Sequence, residues 1–187
     1  MSRTEMVWGP TYEEMLHPEK IDPALRKRAI EQKNSLEPEA LFNITWKDVH
    51  HIPYFMVIPP KITGVDANII VLLGKNFPTG SHKVGSTYSV TMEKQLQGAI
   101  DPSRDTLVYP STGNFGIGGA WVAGRMGYDS LVILPSSVSR ERFDRITSYG
   151  GSYRKAPGLA GMFEEAKKMA SRPGMTVMNQ FISMANY

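Results

Sequence analysis

The sequence has no cysteine in its 187 residues. That excludes disulfides, thiolate metal sites and a cysteine nucleophile, though it does not by itself fix a compartment. Long apolar runs are missing too, and none approaches the roughly 20 residues of a membrane span. The opening, "MSRTEMVWGPTYEEML", lacks the apolar core of a secretory signal. This argues against secretion and for a cytoplasmic protein with no membrane partner. There is no excess of one charge: 21 Lys and Arg are interspersed with 18 Asp and Glu, for a net +3. The densest basic run, "LRKRAIEQK", reads as one solvated helix face, so no nucleic-acid partner is expected. Internal repeats and low-complexity segments are absent.

What is present is ordinary in bulk and patterned in detail. A hydrophobic share of 41% with 21% charged residues suits a globular protein. Residues 1–50 read as a polar helical extension, with "PTYEEML" and "DPALRKRAIEQ" as short helices that carry proline early. "HHIPYFMVIPP" reads as a strand entering the main domain, 51–187. From there apolar runs alternate with helical stretches: "NIIVLL", a helix over 83–97, "TLVYP", a helix over 116–125, "SLVILP", a helix over 140–149, "GSYRKA", a helix over 158–170, and "MTVMN". Buried strands alternating with helices of this length predict an α/β fold, a parallel sheet covered on both faces in three layers.

Ligands of such sheets sit outside the carboxyl ends of the strands. Two loops there are rich in small polar residues. "PSTGNFGIGG" runs into a helix whose first N–H groups lack internal partners. With the hydroxyls of Ser111 and Thr112, it offers several donors to a small anion. The structural alternative is a helix start capped by Thr112 or Asn114, with glycines for close helix–sheet packing. "GKNFPTGSHK" fails as a Walker A loop, because five residues separate Gly74 from Gly80 and Ser-His-Lys follows. A dinucleotide fingerprint fails at Trp121, which stands where a third glycine belongs. Lys83 is more telling. Gly80, Ser81, Gly85, Ser86 and Thr87 leave a small-walled space around its amine. A helix start and partial burial both favour a neutral, nucleophilic amine. A lysine facing a planar aldehyde cofactor points to pyridoxal 5′-phosphate.

Four blocks between Ile69 and Tyr187 then resemble fold-type II pyridoxal-phosphate enzymes, most closely cysteine synthase and cystathionine β-synthase. "NFPTGSHK" is similar to their lysine motif, and "PSTGNFGIGGA" to their substrate loop. "VILPSSVSRERFDRITSYGG" and "NQFISMANY" resemble two later blocks, in family order. "HIPYFMVIPP" fits the opening strand more loosely. The resemblance implies a substrate-loop subdomain over about 100–155 and roles for single residues. Lys83 would hold the cofactor as a Schiff base and serve as general base at Cα. Asn114 would bind the ring hydroxyl. Ser111, Thr112, Gly113 and the N–H groups that follow would take the carboxylate of a small amino acid, with Gln180 on its other side. Arg142 and Glu141 would be structural, through a salt bridge or helix cap.

The expected chemistry is β-elimination or β-replacement. Alternatives are a dehydratase or racemase on this fold, or a non-catalytic subunit. Some residues depart from the pattern. Val84-Gly85 replaces Asp-Arg, His82 precedes the lysine as in tryptophan synthase β, and Met184 replaces a proline. Phe115 stands where a second threonine would donate, and is expected to narrow the substrate pocket. In the family a glycine-rich loop for the cofactor phosphate lies further along the chain. No such loop follows Gly151 here, so the site is expected to need further polypeptide, either a continuation, a complementing chain or an oligomer partner.

Overall fold

The structure, a computed structural model, describes residues 6–182. Residues 183–187 of the last block, Met184 among them, lie outside the described residues. The helices are α1 (Tyr12–Leu16), α2 (Pro23–Glu31), α3 (Pro60–Thr63), α4 (Lys83–Leu96), α5 (Asn114–Met126), α6 (Arg140–Ser148) and α7 (Gly158–Ala170). The strands are β1 (Phe55–Ile58), β2 (Ile69–Leu72), β3 (Thr106–Pro110), β4 (Asp129–Pro135), β5 (Ser152–Ala156) and β6 (Met175–Val177).

Strands β3 to β6 form one parallel sheet in the order β5-β4-β3-β6. Apolar side chains alternate across it. Leu107, Tyr109, Val132 and Leu134 face a core made with α4, α5 and α6. Val108, Ile133 and Ala156 face the other way, onto Met162, Ala166 and Met169 of α7. Both faces are therefore buried, as three layers require. The strand order turns back at β3. From β3 the chain passes through α5 to β4 and through α6 to β5, then crosses the opposite face through α7 to reach β6. Right-handed crossovers demand that change of face when direction reverses.

The run "NIIVLL" does not join this sheet, which corrects its expected place in the alternation. Its strand, β2, pairs antiparallel with β1 in a separate two-stranded sheet, from Phe55 opposite Leu72 to Ile58 opposite Ile69. Most of its side chains are exposed, Ile70 at 69%. A short run of branched residues fits any apolar-faced strand, so its composition carried no information about which sheet it joins.

Residues 6–50 pack onto the main core. Met15, Ala40, Leu41 and Ile44 share a cluster with Val84 and Tyr88 of α4. Two polar contacts fasten this segment. Tyr88 donates its hydroxyl to the Pro10 carbonyl at 2.9 Å, and Gln95 donates to the Val7 carbonyl at 3.0 Å. Tyr128 in turn donates to Gln95 Oε1 at 2.8 Å.

Helix α5 lies unusually close to its neighbours. A Cβ on Gly119 would come within 2.5 Å of the Tyr109 ring, and one on Gly116 within 2.5 Å of Val132 Cγ1. Gly119→Ala should therefore cost about 1–3 kcal/mol by overpacking. Gly85→Ala in α4, whose nearest atom would be Ile44 Cγ2 at 3.8 Å, should instead be neutral or stabilising. Urea unfolding midpoints measure both, and equal midpoints would contradict the close approach.

Candidate active site

Lys83 is the first residue of α4 and is half-buried. The turn before it is tightly organised. Gly80 sits at φ +69° and donates its N–H to the Phe77 carbonyl at 2.8 Å. Thr79 and Ser81 are buried, and Ser81 Oγ accepts from the Lys83 N–H at 3.3 Å. The α4 start carries no acidic residue in its first turn and no side-chain N-cap.

The loop after β3 leads into α5 in a similar state. Gly113 precedes the helix, with no side-chain cap and no acidic residue in the first turn. Thr112 and Asn114 therefore do not cap it, which removes the structural alternative for those two residues. The first helical hydrogen bond runs from the Ile117 N–H to the Gly113 carbonyl at 3.0 Å. The N–H groups of Asn114, Phe115 and Gly116 come before it, where a helix leaves its donors unclaimed. Ser111 is buried and accepts from the Gly113 N–H at 3.2 Å, so it sets the turn. Thr112 and Asn114 are exposed and Gly113 is half-buried. By contrast, α1 has a full capping box from Thr11 and Glu14.

Gly118 brings the two helix starts together. A Cβ there would meet Thr87 Oγ1 at 3.0 Å, the Lys83 carbonyl at 3.2 Å and Val84 Cα at 3.2 Å. Helices α4 and α5 thus touch backbone to backbone within a turn of Lys83 and Asn114. Gln180 approaches from the other side of β3. Val108 pairs with Val177, and the Met178 N–H donates to the Val108 carbonyl at 2.8 Å. Ser111 lies three residues past Val108 and Gln180 three past Val177, so both leave the sheet at the same end. This is the carboxyl end, where the strand order turns back, the place such folds put their ligands.

The Phe115 side chain is corrected. It is 2% exposed and sits in the core, edge-on to Tyr109 at 5.8 Å between ring centroids. The second position of a helix packed on a sheet turns inward, so its bulk fills the core instead of narrowing a pocket. Its N–H remains at the helix start. Glu141 and Arg142 also differ from expectation. Glu141 makes no ion pair among the described residues, and Arg142 donates to the Thr112 carbonyl. Sequence reasoning missed the equivalent contact of Arg145, which donates to the Thr79 carbonyl at 2.5 Å. The visible signal was two arginines three residues apart on one helix.

A family profile for the pyridoxal-phosphate dependent enzyme matches residues 59–187. The chain belongs to this family. It is 31% identical over 134 residues to a cystathionine beta-synthase of Saccharomyces cerevisiae (strain ATCC 204508 / S288c), covering 68% of this chain and 26% of that one. It is 32% identical over 123 residues to a cysteine synthase of Staphylococcus aureus (strain Mu50 / ATCC 700699), covering 64% and 39%. The crystal structure of O-ureido-L-serine synthase superposes with a TM-score of 0.59 at 30% identity, over 63% of this chain and 38% of that chain. The chain spans about a quarter to two-fifths of the length of these relatives. Its site fits the family's cofactor in donor chemistry: a half-buried primary amine stands beside two helix starts free of acidic residues.

Desolvation, and then the adjacent Lys83 charge, hold the His82 imidazole below its ordinary value. Removing a like charge favours the protonated ring, so Lys83→Met should move the His82 titration to higher pH. Imidazole chemical shifts followed against pH measure this. An unmoved titration would show that the two charges do not meet.

Proposed function

We propose that this chain carries the lysine-bearing part of an active site for pyridoxal-phosphate-dependent β-replacement or β-elimination on a small amino acid. The observation that supports it is Lys83 opening α4 against the uncapped start of α5, in a chain of this family. Relatives named cysteine synthase, cystathionine beta-synthase and O-ureido-L-serine synthase favour this over the dehydratase or racemase reading.

Before substrate binds, Lys83 would hold the cofactor at its aldehyde end and Asn114 would hold its ring hydroxyl. Bound pyridoxal phosphate supplies an electron sink for charge developing at Cα. Once the substrate's own amine has displaced Lys83 from the aldehyde, the freed Lys83 amine would take the Cα proton, and a positioned base of this kind contributes about 10²–10⁴-fold. The N–H groups opening α5 and the hydroxyls of Ser111 and Thr112 hold the substrate carboxylate, with Gln180 on its other side. Fixing the carboxylate aims the Cα–H bond at the amine, which is a gain from orientation. Borohydride reduction followed by peptide mass spectrometry should find the cofactor on Lys83. Lys83→Ala should abolish both attachment and turnover with little change in far-UV circular dichroism. Attachment to a different lysine in the wild type would reject the assignment.

The proposal includes a second polypeptide segment, equivalent to the length of the relatives that this chain does not span. It covers β1 and β2 and completes the cofactor site. Isolated two-stranded sheets are marginal in water, yet Phe55, Met56, Val57, Ile69 and Ile70 are all more than 40% exposed. Contiguous apolar exposure of this kind marks an interface. Residues 1–187 expressed alone should self-associate and lose pyridoxal phosphate on gel filtration. A monomer that keeps stoichiometric cofactor would overturn this part of the reading.

A further inference from the structure

Helix α6 reaches both loops of the candidate site. Arg142 and Arg145 are three residues apart and share one face of the helix. The Arg142 guanidinium donates to the Thr112 carbonyl and lies flat against Gly113, where a Cβ would meet its Cζ and Nη1 at 3.4 Å. Arg145 Nη2 donates to the Thr79 carbonyl at 2.5 Å and lies 3.9 Å from where a Gly80 Cβ would sit. Thr112 precedes α5 by two residues and Thr79 precedes Lys83 by four. The ion pair of this helix is Arg140 with Asp144, and neither Arg142 nor Arg145 has a carboxylate partner among the described residues.

A peptide plane ties each contact to a donor. In a trans peptide the C=O and the following N–H point in opposite directions. Gripping the Thr112 carbonyl therefore turns the Gly113 N–H inward, where it meets Ser111 Oγ at 3.2 Å. Gripping the Thr79 carbonyl turns the Gly80 N–H inward, where it meets the Phe77 carbonyl at 2.8 Å. Both gripped peptides end in glycine, the residue least able to hold its own conformation. A guanidinium suits the task because its donors form a rigid planar fork.

We propose that Arg142 and Arg145 are positioning residues, a two-pronged clamp from α6 that fixes the carboxylate loop and the lysine loop relative to each other. The catalytic meaning of the two loops rests on the functional reading above, but the clamp does not. Arg142 sets the orientation of the carboxylate donors and adds uncompensated positive charge beside them. Arg145 sets the turn that delivers Lys83.

The test uses the protein with its full natural chain or partner. Hydrogen–deuterium exchange without cofactor should rise over residues 111–117 in Arg142→Met and over residues 78–85 in Arg145→Met, each with little change in the other loop. With cofactor, Arg142→Met should raise KM for the amino acid by about ten- to a hundredfold, with a smaller change in kcat. Arg145→Met should act mainly on kcat. Arg142→Lys should recover only part of the KM loss, since an ammonium lacks the fork. If either methionine variant fails to fold, the lysine variants carry the exchange test, with the same loop assignment and smaller amplitude. Unchanged exchange in both loops would overturn the clamp. Loop-specific exchange with unchanged KM and kcat would leave the clamp standing and reject the functional reading of the loops.

Discussion

Helix α5 is pressed between the sheet and α4 so closely that three positions in its first two turns have room only for hydrogen. Gly116 faces Val132, Gly119 faces Tyr109, and Gly118 faces the backbone of α4 at Lys83 and Val84. Protein interiors pack to near-crystalline density, so a methyl group at any of them must push a neighbour away. The two sheet-facing glycines seat the helix on β3 and β4. The third lets the start of α4 approach from the other side. With a larger residue at position 118 the Lys83 turn would stand off from the loop before α5, and two helix starts would no longer share one space. The glycines of "GNFGIGG" thus act through packing as much as through exposed backbone donors.

Much of this was legible in the sequence, because the elements around the site are regular. "TLVYP" and "SLVILP" are each followed by a helix, and both strand–helix units fall where their patterns put them. The reading failed where a residue's neighbours come from far along the chain. "NIIVLL" has the composition of a central strand, but its partner is the equally apolar "FMVI", and the pair lies apart from the main sheet. Phe115 follows a run of small polar residues, and only the tilt of α5 on the sheet shows that its ring points inward. Trp121, which stands where a dinucleotide fingerprint needs its third glycine, faces away from the tight helix–sheet contact. It is buried, with the Arg125 guanidinium 3.9 Å from its ring centre, while glycines occupy the tight sheet-facing positions. The contacts of α6 with two distant loops left no trace beyond the spacing of its arginines.

The N-terminal segment bears on the same arrangement. Helix α4 has a polar, half-buried surface, and its mean burial depends on what lies over Tyr88 and Gln95. Each of these gives its side-chain donor to a backbone carbonyl from the first ten residues. Buried donors left without acceptors would be costly. Gly9 fits this seat because a Cβ there would lie 2.8 Å from Tyr88 Oη and 2.9 Å from Leu41 Cβ. Residues that read from sequence as a polar extension thereby hold the back of the helix whose front end carries Lys83.

Electrostatics gives the site its direction. Both helix starts offer partial positive charge, and neither first turn has an acidic residue to neutralise it. Arg142 and Arg145 bring positive charge to the same two loops through the Thr112 and Thr79 carbonyls, and the His82 imidazole beside Lys83 is held low, first by burial and then by that lysine. Such an accumulation is unfavourable in an empty site and is relieved by anions. In the proposed reading, the substrate carboxylate supplies one. The repulsion therefore works as binding energy held in reserve. Under the proposed function it also accounts for an amine placed where a helix would ordinarily favour an acid: at this end of the sheet the compensating negative charge would arrive with the substrate.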